Sequence, residues 1–478
     1  MSDEIGLMWR FFKAFLSIVV FAGINFATAA APRKPNVLFI AIDDLNTRLG
    51  CYGFDHISSP NIDKLAQEGV RFDRAYCQYP SCGPSRTSVL TGLRPQTTGM
   101  INNRMSFREL APDAVTLPQL FMKNGYYVAR VGKIFHQRVP LDIGTSGADD
   151  PASWQEVVNP RGRDKDEEDL MTIYTHKLSI TNTMGFLKAE GEDTEQTDGK
   201  VVDETIRMLE EHKGESFFIA AGLYRPHTPY IAPKKYFDLY HLEKTKVPEL
   251  PSGYRKTVPE AALSSTADWP NFGTTEDEAR DCILAYDACI SFVDTQIGRL
   301  LAAVDRLGLR ENTIVVLWGD HGYHLGEHGL WRKNSLYEES ARAPLIFRVP
   351  GLNPASHDSL RIVEFVDIYP TLADLAGLVP PDELEGTSLR KLLTDPAADW
   401  NRPAFIQTLY VDVPGYSVRT DRWRYVEWGT RGDKGVELYD QLMDPQEMHN
   451  LAGSNQHRAT IKELKELINR NWPSNQEP

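Results

Sequence analysis

Three runs of nearly continuous apolar residues, 36 to 42, 217 to 221 and 313 to 318, constrain the fold more than any other feature. Each has the length of a strand. None alternates with polar residues, so both faces of each strand must be covered. Residues 344 to 349 form a fourth such run. Amphipathic segments stand between them. Ser59-Pro60 opens a short helix carrying Ile62, Leu65 and Val70, and residues 115 to 121 and 201 to 209 are also helical. Within residues 276 to 307, Ile283, Tyr286, Ile290, Val293, Ile297, Leu301 and Val304 repeat at three and four, which predicts a long helix with one buried stripe. This alternation predicts an α/β fold with a large, mostly parallel sheet flanked by helices.

Two stretches break the pattern. Residues 140 to 197 and 229 to 275 are polar and weakly periodic, and read as irregular insertions. The last hundred residues differ again. Short runs at 405 to 411, 416 to 419, 423 to 426 and 437 to 439 are separated by turn signals, and residues 461 to 468 are helical. They predict a small C-terminal antiparallel sheet closed by a helix.

The formal net charge of −14 disfavours nonspecific nucleic-acid binding, so a polyanionic partner must be met by a local group of cations. The N-terminus carries Arg10 and Lys13 beside a short apolar run at 14 to 22, then Ala27-Thr28-Ala29. This is the pattern of a cleaved export signal over residues 1 to 29, too short to leave a stable membrane span. The sequence contains no Asn-x-Ser/Thr acceptor, which points to bacterial export, periplasmic or extracellular. Five cysteines do not make a disulfide framework. Cys282 and Cys289 are separated by about 10 Å of helical rise and are expected in the core. Pairing of Cys51 with Cys77 stays open.

Two of the apolar strands end in acidic residues, Asp43-Asp44 and Asp320-His321. Ligands of open α/β sheets bind beyond the carboxyl ends of the strands. Converging carboxylates repel unless a cation sits between them, and hard oxygen ligands favour calcium or magnesium, while the imidazole leaves a transition metal open. Cys82-Gly83-Pro84-Ser85-Arg86 places a thiol at the start of a short helix, where free amides and the dipole favour an anion. No activating base stands close to it in sequence.

Cys82-Gly83-Pro84-Ser85-Arg86 resembles the Cys-x-Pro-Ser-Arg signature of type I sulfatases, within the alkaline phosphatase superfamily. The resemblance runs from Asn36 to Leu451. Gly132-Lys133-Ile134-Phe135-His136, Arg225-Pro226-His227-Thr228-Pro229, Asp320-His321-Gly322-Tyr323 and the segment at 326 to 333 look like the iduronate-2-sulfatase branch. The lysine-to-histidine spacing and His321 depart from the wider family in the way that branch does. The resemblance implies an alkaline phosphatase-like fold, with a catalytic domain at 35 to 398 and a C-terminal α+β subdomain at 399 to 478. It implies that Cys82 is oxidised to formylglycine by a maturing enzyme. It also implies that Asp43, Asp44, Asp320 and His321, with the oxygen derived from Cys82, bind one calcium ion.

By the same resemblance, Arg86 and Lys133 steady the hydrated aldehyde, and His136 takes a proton from it. His227 and Lys333 hold the sulfate and assist the leaving oxygen. His324 and His328 lie in the same Gly-rich loop and receive no role. The implied reaction is removal of a sulfate ester from a carbohydrate, with a 2-O-sulfated uronic acid as the expected substrate. Oligomeric state is not legible. Two other readings stay open: a phosphate or phosphonate ester hydrolase of the same superfamily, and a non-catalytic metal- and glycan-binding protein.

Overall fold

The computed structural model describes residues 34 to 473, and the export-signal expectation at 1 to 29 lies outside them. Among the described residues, the central sheet has eight strands. In chain order they are β1 (Asn36–Ile42), β2 (Val70–Tyr76), β3 (Tyr127–Gly132), β4 (Glu156–Val158), β5 (Phe217–Leu223), β6 (Thr313–Gly319), β7 (Leu345–Arg348) and β8 (Asp358–Glu364). Their spatial order is β8-β2-β7-β6-β1-β5-β3-β4. Seven run parallel, and only β7 opposes its neighbours β6 and β2. The mostly parallel sheet expected from sequence is therefore present. The exception has a simple cause. A parallel neighbour needs a crossover over one face, whereas the excursion from 320 to 344 stays at the carboxyl end of β6 and returns beside it.

Strand β1 shows why the apolar runs are continuous. Leu38, Ile40 and Ile42 enter the core on one face, and Val37, Phe39 and Ala41 enter the core on the other. Every residue of β1, β5 and β6 is buried. Each Ile or Leu so covered contributes about 2 kcal/mol relative to exposure. The helices that position the site are α1 (Pro60–Gln67), α2 (Cys82–Thr91), α3 (Thr197–His212) and α4 (Glu276–Arg306). In α4 the capping box of Thr275 and Glu278 starts the helix, and the predicted stripe from Ile283 to Val304 is buried.

The insertions contain more order than their composition suggests. Glu156–Val158 adds an edge strand to the main sheet, and Gly185–Ala189 pairs in parallel with Tyr230–Pro233. These inserted strands are three to five residues long, too short to show a period. The C-terminal sheet is antiparallel, in the order β9 (Ala404–Tyr410), β10 (Val413–Arg419), β11 (Trp423–Trp428) and β12 (Gly435–Asp440), with α5 (Arg458–Asn471) following. Cys282 and Cys289 are buried in α4, and all five cysteines, Cys51 and Cys77 included, are free thiols. Among the described residues, no helix is long and apolar enough to cross a membrane.

Candidate active site

The carboxyl ends of β1 and β6 lie side by side, because these strands pair in register from Asn36–Thr313 to Ile42–Gly319. The ladder continues one step, with the Asp320 amide donating to the Ile42 carbonyl at 3.3 Å. Asp43, Asp44, Asp320 and His321 are consequently brought together, all fully buried. The Asp44 amide donates to Asp320 Oδ1 at 3.0 Å. His321 Nδ1 lies 2.8 Å from the Gly322 carbonyl, which only accepts, so Nδ1 carries a proton and Nε2 faces the carboxylates. It stands 3.3 Å from Asp44 and 3.6 Å from Asp320.

Cys82 is the first residue of α2 and is fully buried. Gly83 follows because a Cβ there would meet Asn103 Oδ1 at 2.8 Å, and that oxygen accepts from the Gly83 amide. Ser85 donates to the Asp320 carbonyl. Arg86 reaches further: Nε donates to Asp320 at 2.8 Å, Nη2 to Asp43 at 3.2 Å, and Nη1 to the Lys133 carbonyl at 2.7 Å. Every charged-group partner of Arg86 is thus an acidic residue at a strand end. The Ser-Arg of the motif ties the helix bearing the thiol to the carboxyl ends of β1 and β6.

The other basic residues converge on the same place. Lys133 donates to Asp43 Oδ2 at 2.6 Å, and Lys333 donates to Asp44 Oδ1 and, at 3.2 Å, to Cys82 Sγ. His321 Nε2 is 3.4 Å from the same sulfur. His227 Nε2 stands 3.7 Å from Asp44 Oδ2, while its Nδ1 donates to the Thr228 carbonyl at 2.5 Å. His136 is buried beside the thiol with Nδ1 unpartnered. All the residues expected at the site therefore meet in one cluster, while His324 and His328 lie outside it.

The electrostatics of that cluster are unusual. Burial alone would raise the Cys82 thiol, but Lys133, Lys333 and His321 hold it well below the usual thiol range. Burial, reinforced by Cys82 and Asp320, pushes Asp43 well above the carboxylate range despite Lys133 and Arg86. Asp320 is likewise buried, yet His321 and Arg86 lower it to about 2. Burial lowers His227 to about 4, so this ring is neutral near pH 7.

The donor set fits a divalent cation. Ligand atoms of Asp44, Cys82, Asp320 and His321 lie within 4.8 Å of one another, as do those of Asp43, Asp44 and His227. Asp44 Oδ2 is buried with no hydrogen-bond partner, a cost that a bound cation removes. An oxygen in place of Cys82 Sγ would meet Lys333, His321 and Asp44, so a formylglycine side chain is also compatible with these surroundings.

The sulfatase family profile matches residues 35 to 378, most of the chain and all of this cluster. The chain belongs to the sulfatase family. A profile described as N-sulphoglucosamine sulphohydrolase, C-terminal, matches residues 326 to 472 of the sulfatase. A sulfatase from Formosa agariphila is 35% identical, covering 91% of this chain and 86% of its own. Human iduronate 2-sulfatase is 32% identical, covering 94% and 97% respectively. The fold is shared with a phosphonate monoester hydrolase from Silicibacter pomeroyi at 24% identity, TM-score 0.76, covering 92% of this chain and 96% of that one. The sulfatase is thus a hydrolase of sulfate esters with an α/β, alkaline phosphatase-like fold.

Sequence reasoning missed the residues that hold the cluster in place. Asp198, at the start of α3, accepts from the Tyr224 amide at 2.8 Å and the Arg225 amide at 2.9 Å, and so fixes the turn that delivers His227. Tyr286 of α4 donates to the Asp44 carbonyl at 2.7 Å. Neither carried a signal, because an acidic residue in a helix's first turn and a tyrosine in an apolar stripe are ordinary. Replacing Asp198 with alanine leaves two buried amides unsatisfied. It is expected to cost about 3 kcal/mol, read as a lower denaturant midpoint, with reduced kcat. Wild-type stability and turnover in this variant would rule out the positioning role.

Proposed function

We propose that this sulfatase is exported, depends on calcium, and removes the 2-O-sulfate of a uronic acid from a sulfated carbohydrate, with formylglycine at position 82 as nucleophile. Residues 35 to 398 form its catalytic unit and 399 to 478 its C-terminal subdomain. The observation that carries the reading is the meeting of two opposite charge sets at Cys82: the acidic set of Asp43, Asp44 and Asp320, and the donor set of Lys133, Lys333, His136 and His227. A hydrated formylglycine would supply two hydroxyls, one to attack sulfur and a second whose return to the aldehyde releases the sulfate, and a divalent ion would neutralise charge on the sulfuryl oxygens.

The chain's own groups do the rest. Asp43, Asp44, Asp320 and the Nε2 of His321 would hold the cation, together with the oxygen derived from Cys82. Arg86 keeps Asp43 and Asp320 convergent. Lys133 and Lys333 offset the negative charge that arrives with the substrate. His136 takes a proton from one hydroxyl of the hydrate. His227 has Nδ1 committed to Thr228, so it exchanges a proton only at Nε2. An incoming sulfate favours its protonated ring, which then donates to the leaving oxygen. The sugar preference is supported by the similarity to iduronate 2-sulfatase and by the Lys133-to-His136 spacing.

A desulfation screen against defined disaccharides tests the substrate. Release from 2-sulfated uronates is expected, and release only from 6-sulfated hexosamines would refute the assignment. Rates on matched sulfate and phosphate esters test the reaction. A phosphatase preference of 100-fold, about 3 kcal/mol in the barrier, would favour the phosphate or phosphonate reading. Chelation is expected to abolish turnover and lower the melting temperature, and calcium to restore both. At about 100 times its dissociation constant, calcium contributes about 2.7 kcal/mol. Unchanged melting and turnover after complete removal of divalent ions would exclude the metal.

A further inference from the structure

We propose that His328, Glu339 and Glu447 form a second divalent-cation site, of transition-metal type, sharing no residue with the cluster around Cys82. One ligand atom from each of the three lies within 4.8 Å of the others. The set combines a fully buried imidazole with two carboxylates. That chemistry suits zinc, manganese or cobalt better than calcium.

The imidazole is held as a metal-bound ring is held. Tyr337 stacks on it at 3.8 Å with the planes 10° apart, and the Tyr254 hydroxyl bonds its Nδ1. Its carbonyl accepts from Trp269 Nε1 at 2.9 Å. Its backbone lies in the left-handed region, φ 58, in a turn between Gly326 and Gly329. Such strain in a non-glycine residue persists only where the surroundings enforce it. These contacts leave Nε2 as the free face of the ring. Metal-ligating histidines are oriented in this way, by a partner on the opposite nitrogen.

Nε2 faces Glu339 Oε2 at 3.5 Å, an ion pair when the ring is protonated, and neither atom has any other hydrogen-bond partner among the described residues. Glu447 already accepts from Arg424 at 2.5 Å, from the Glu338 amide at 2.8 Å and from Gln441, but a carboxylate has about four lone-pair sites and one remains. A cation here takes the place of the ring proton between the two atoms and is held by both, with Glu447 beside them. In the same loop His324 carries another buried, unpartnered ring nitrogen, its ring 5.9 Å from that of His328. Access is available, because Glu339 also lines a cavity of about 460 Å³ with Glu249, Glu327 and Arg342. A bound ion would tie the loop at 326 to 329 to Glu447, in the turn that follows β12.

The test uses the full chain, stripped with chelator and reloaded with excess calcium, then titrated with zinc by calorimetry and with cobalt by visible absorption. One saturable equivalent is expected, with a rise in melting temperature. Binding should weaken by at least about 100-fold in His328→Gln and in Glu339→Gln, and persist in Cys82→Ala and Asp320→Ala. The part-exposed Glu339 makes its variant the safer one if His328→Gln fails to fold. No saturable uptake, equal uptake by Glu339→Gln, or loss only in the Cys82 and Asp320 variants would each overturn the site.

Discussion

Cys82→Ala is expected to reduce sulfate-ester hydrolysis by about 10⁴-fold or more, with little change in folding. The size follows from removing the nucleophile of a reaction that proceeds through it, since what survives is only the catalysis of binding and charge stabilisation. Folding should be spared, because the Cys82 sulfur contributes one small buried group, whereas Ser85 and Arg86 make the contacts that join α2 to the strand ends. The measurement pairs turnover on a sulfate ester with the mass of the peptide containing position 82. Wild-type protein from a host with a maturation system should show aldehyde in place of thiol. Full activity in the alanine variant would sink the mechanism. Glycan binding without turnover in the mature wild type would instead favour a non-catalytic glycan-binding protein.

The largest expected effect on stability is at Arg424, far from Cys82 in sequence. Arg424 is fully buried on β11, where it donates to Glu447 at 2.5 Å and to Glu338. Glu338 also accepts from Tyr76 at 2.7 Å, at the end of β2, and meets Arg419 at 3.4 Å. One ion network therefore ties the C-terminal sheet to the central sheet, five residues after Lys333. Arg424→Ala strands two buried carboxylates beside a reduced positive charge, for which a loss of about 3–5 kcal/mol is expected. Equilibrium denaturation reads it directly. A loss below about 1 kcal/mol would show that water or rearranged neighbours replace the guanidinium.

The legibility of the fold varied with segment length. The apolar runs at β1, β5 and β6 and the stripe of α4 are long enough to display their periods, and each appears where the pattern places it. Glu156–Val158 and Gly185–Ala189 are too short for any period, so an irregular insertion was the natural expectation. The reversed direction of β7 was equally hidden, because a run as short as Leu345–Arg348 reads the same in either direction.

The candidate site divides along a similar line. By itself the sequence determined which residues carry chemistry, because Cys82-Gly83-Pro84-Ser85-Arg86 and the acidic ends of two buried strands are local patterns. Their convergence was decided by tertiary structure alone. Arg86 and Asp320 are 234 residues apart, and they touch because β1 and β6 pair in register while Ser85 and Arg86 grip the end of β6. Asp198, Tyr286, Glu339 and Glu447 have no local signature at all, and the loop of His328 assigned it no chemistry. Their roles come from what they face across the packed interior, and sequence spacing does not encode such contacts.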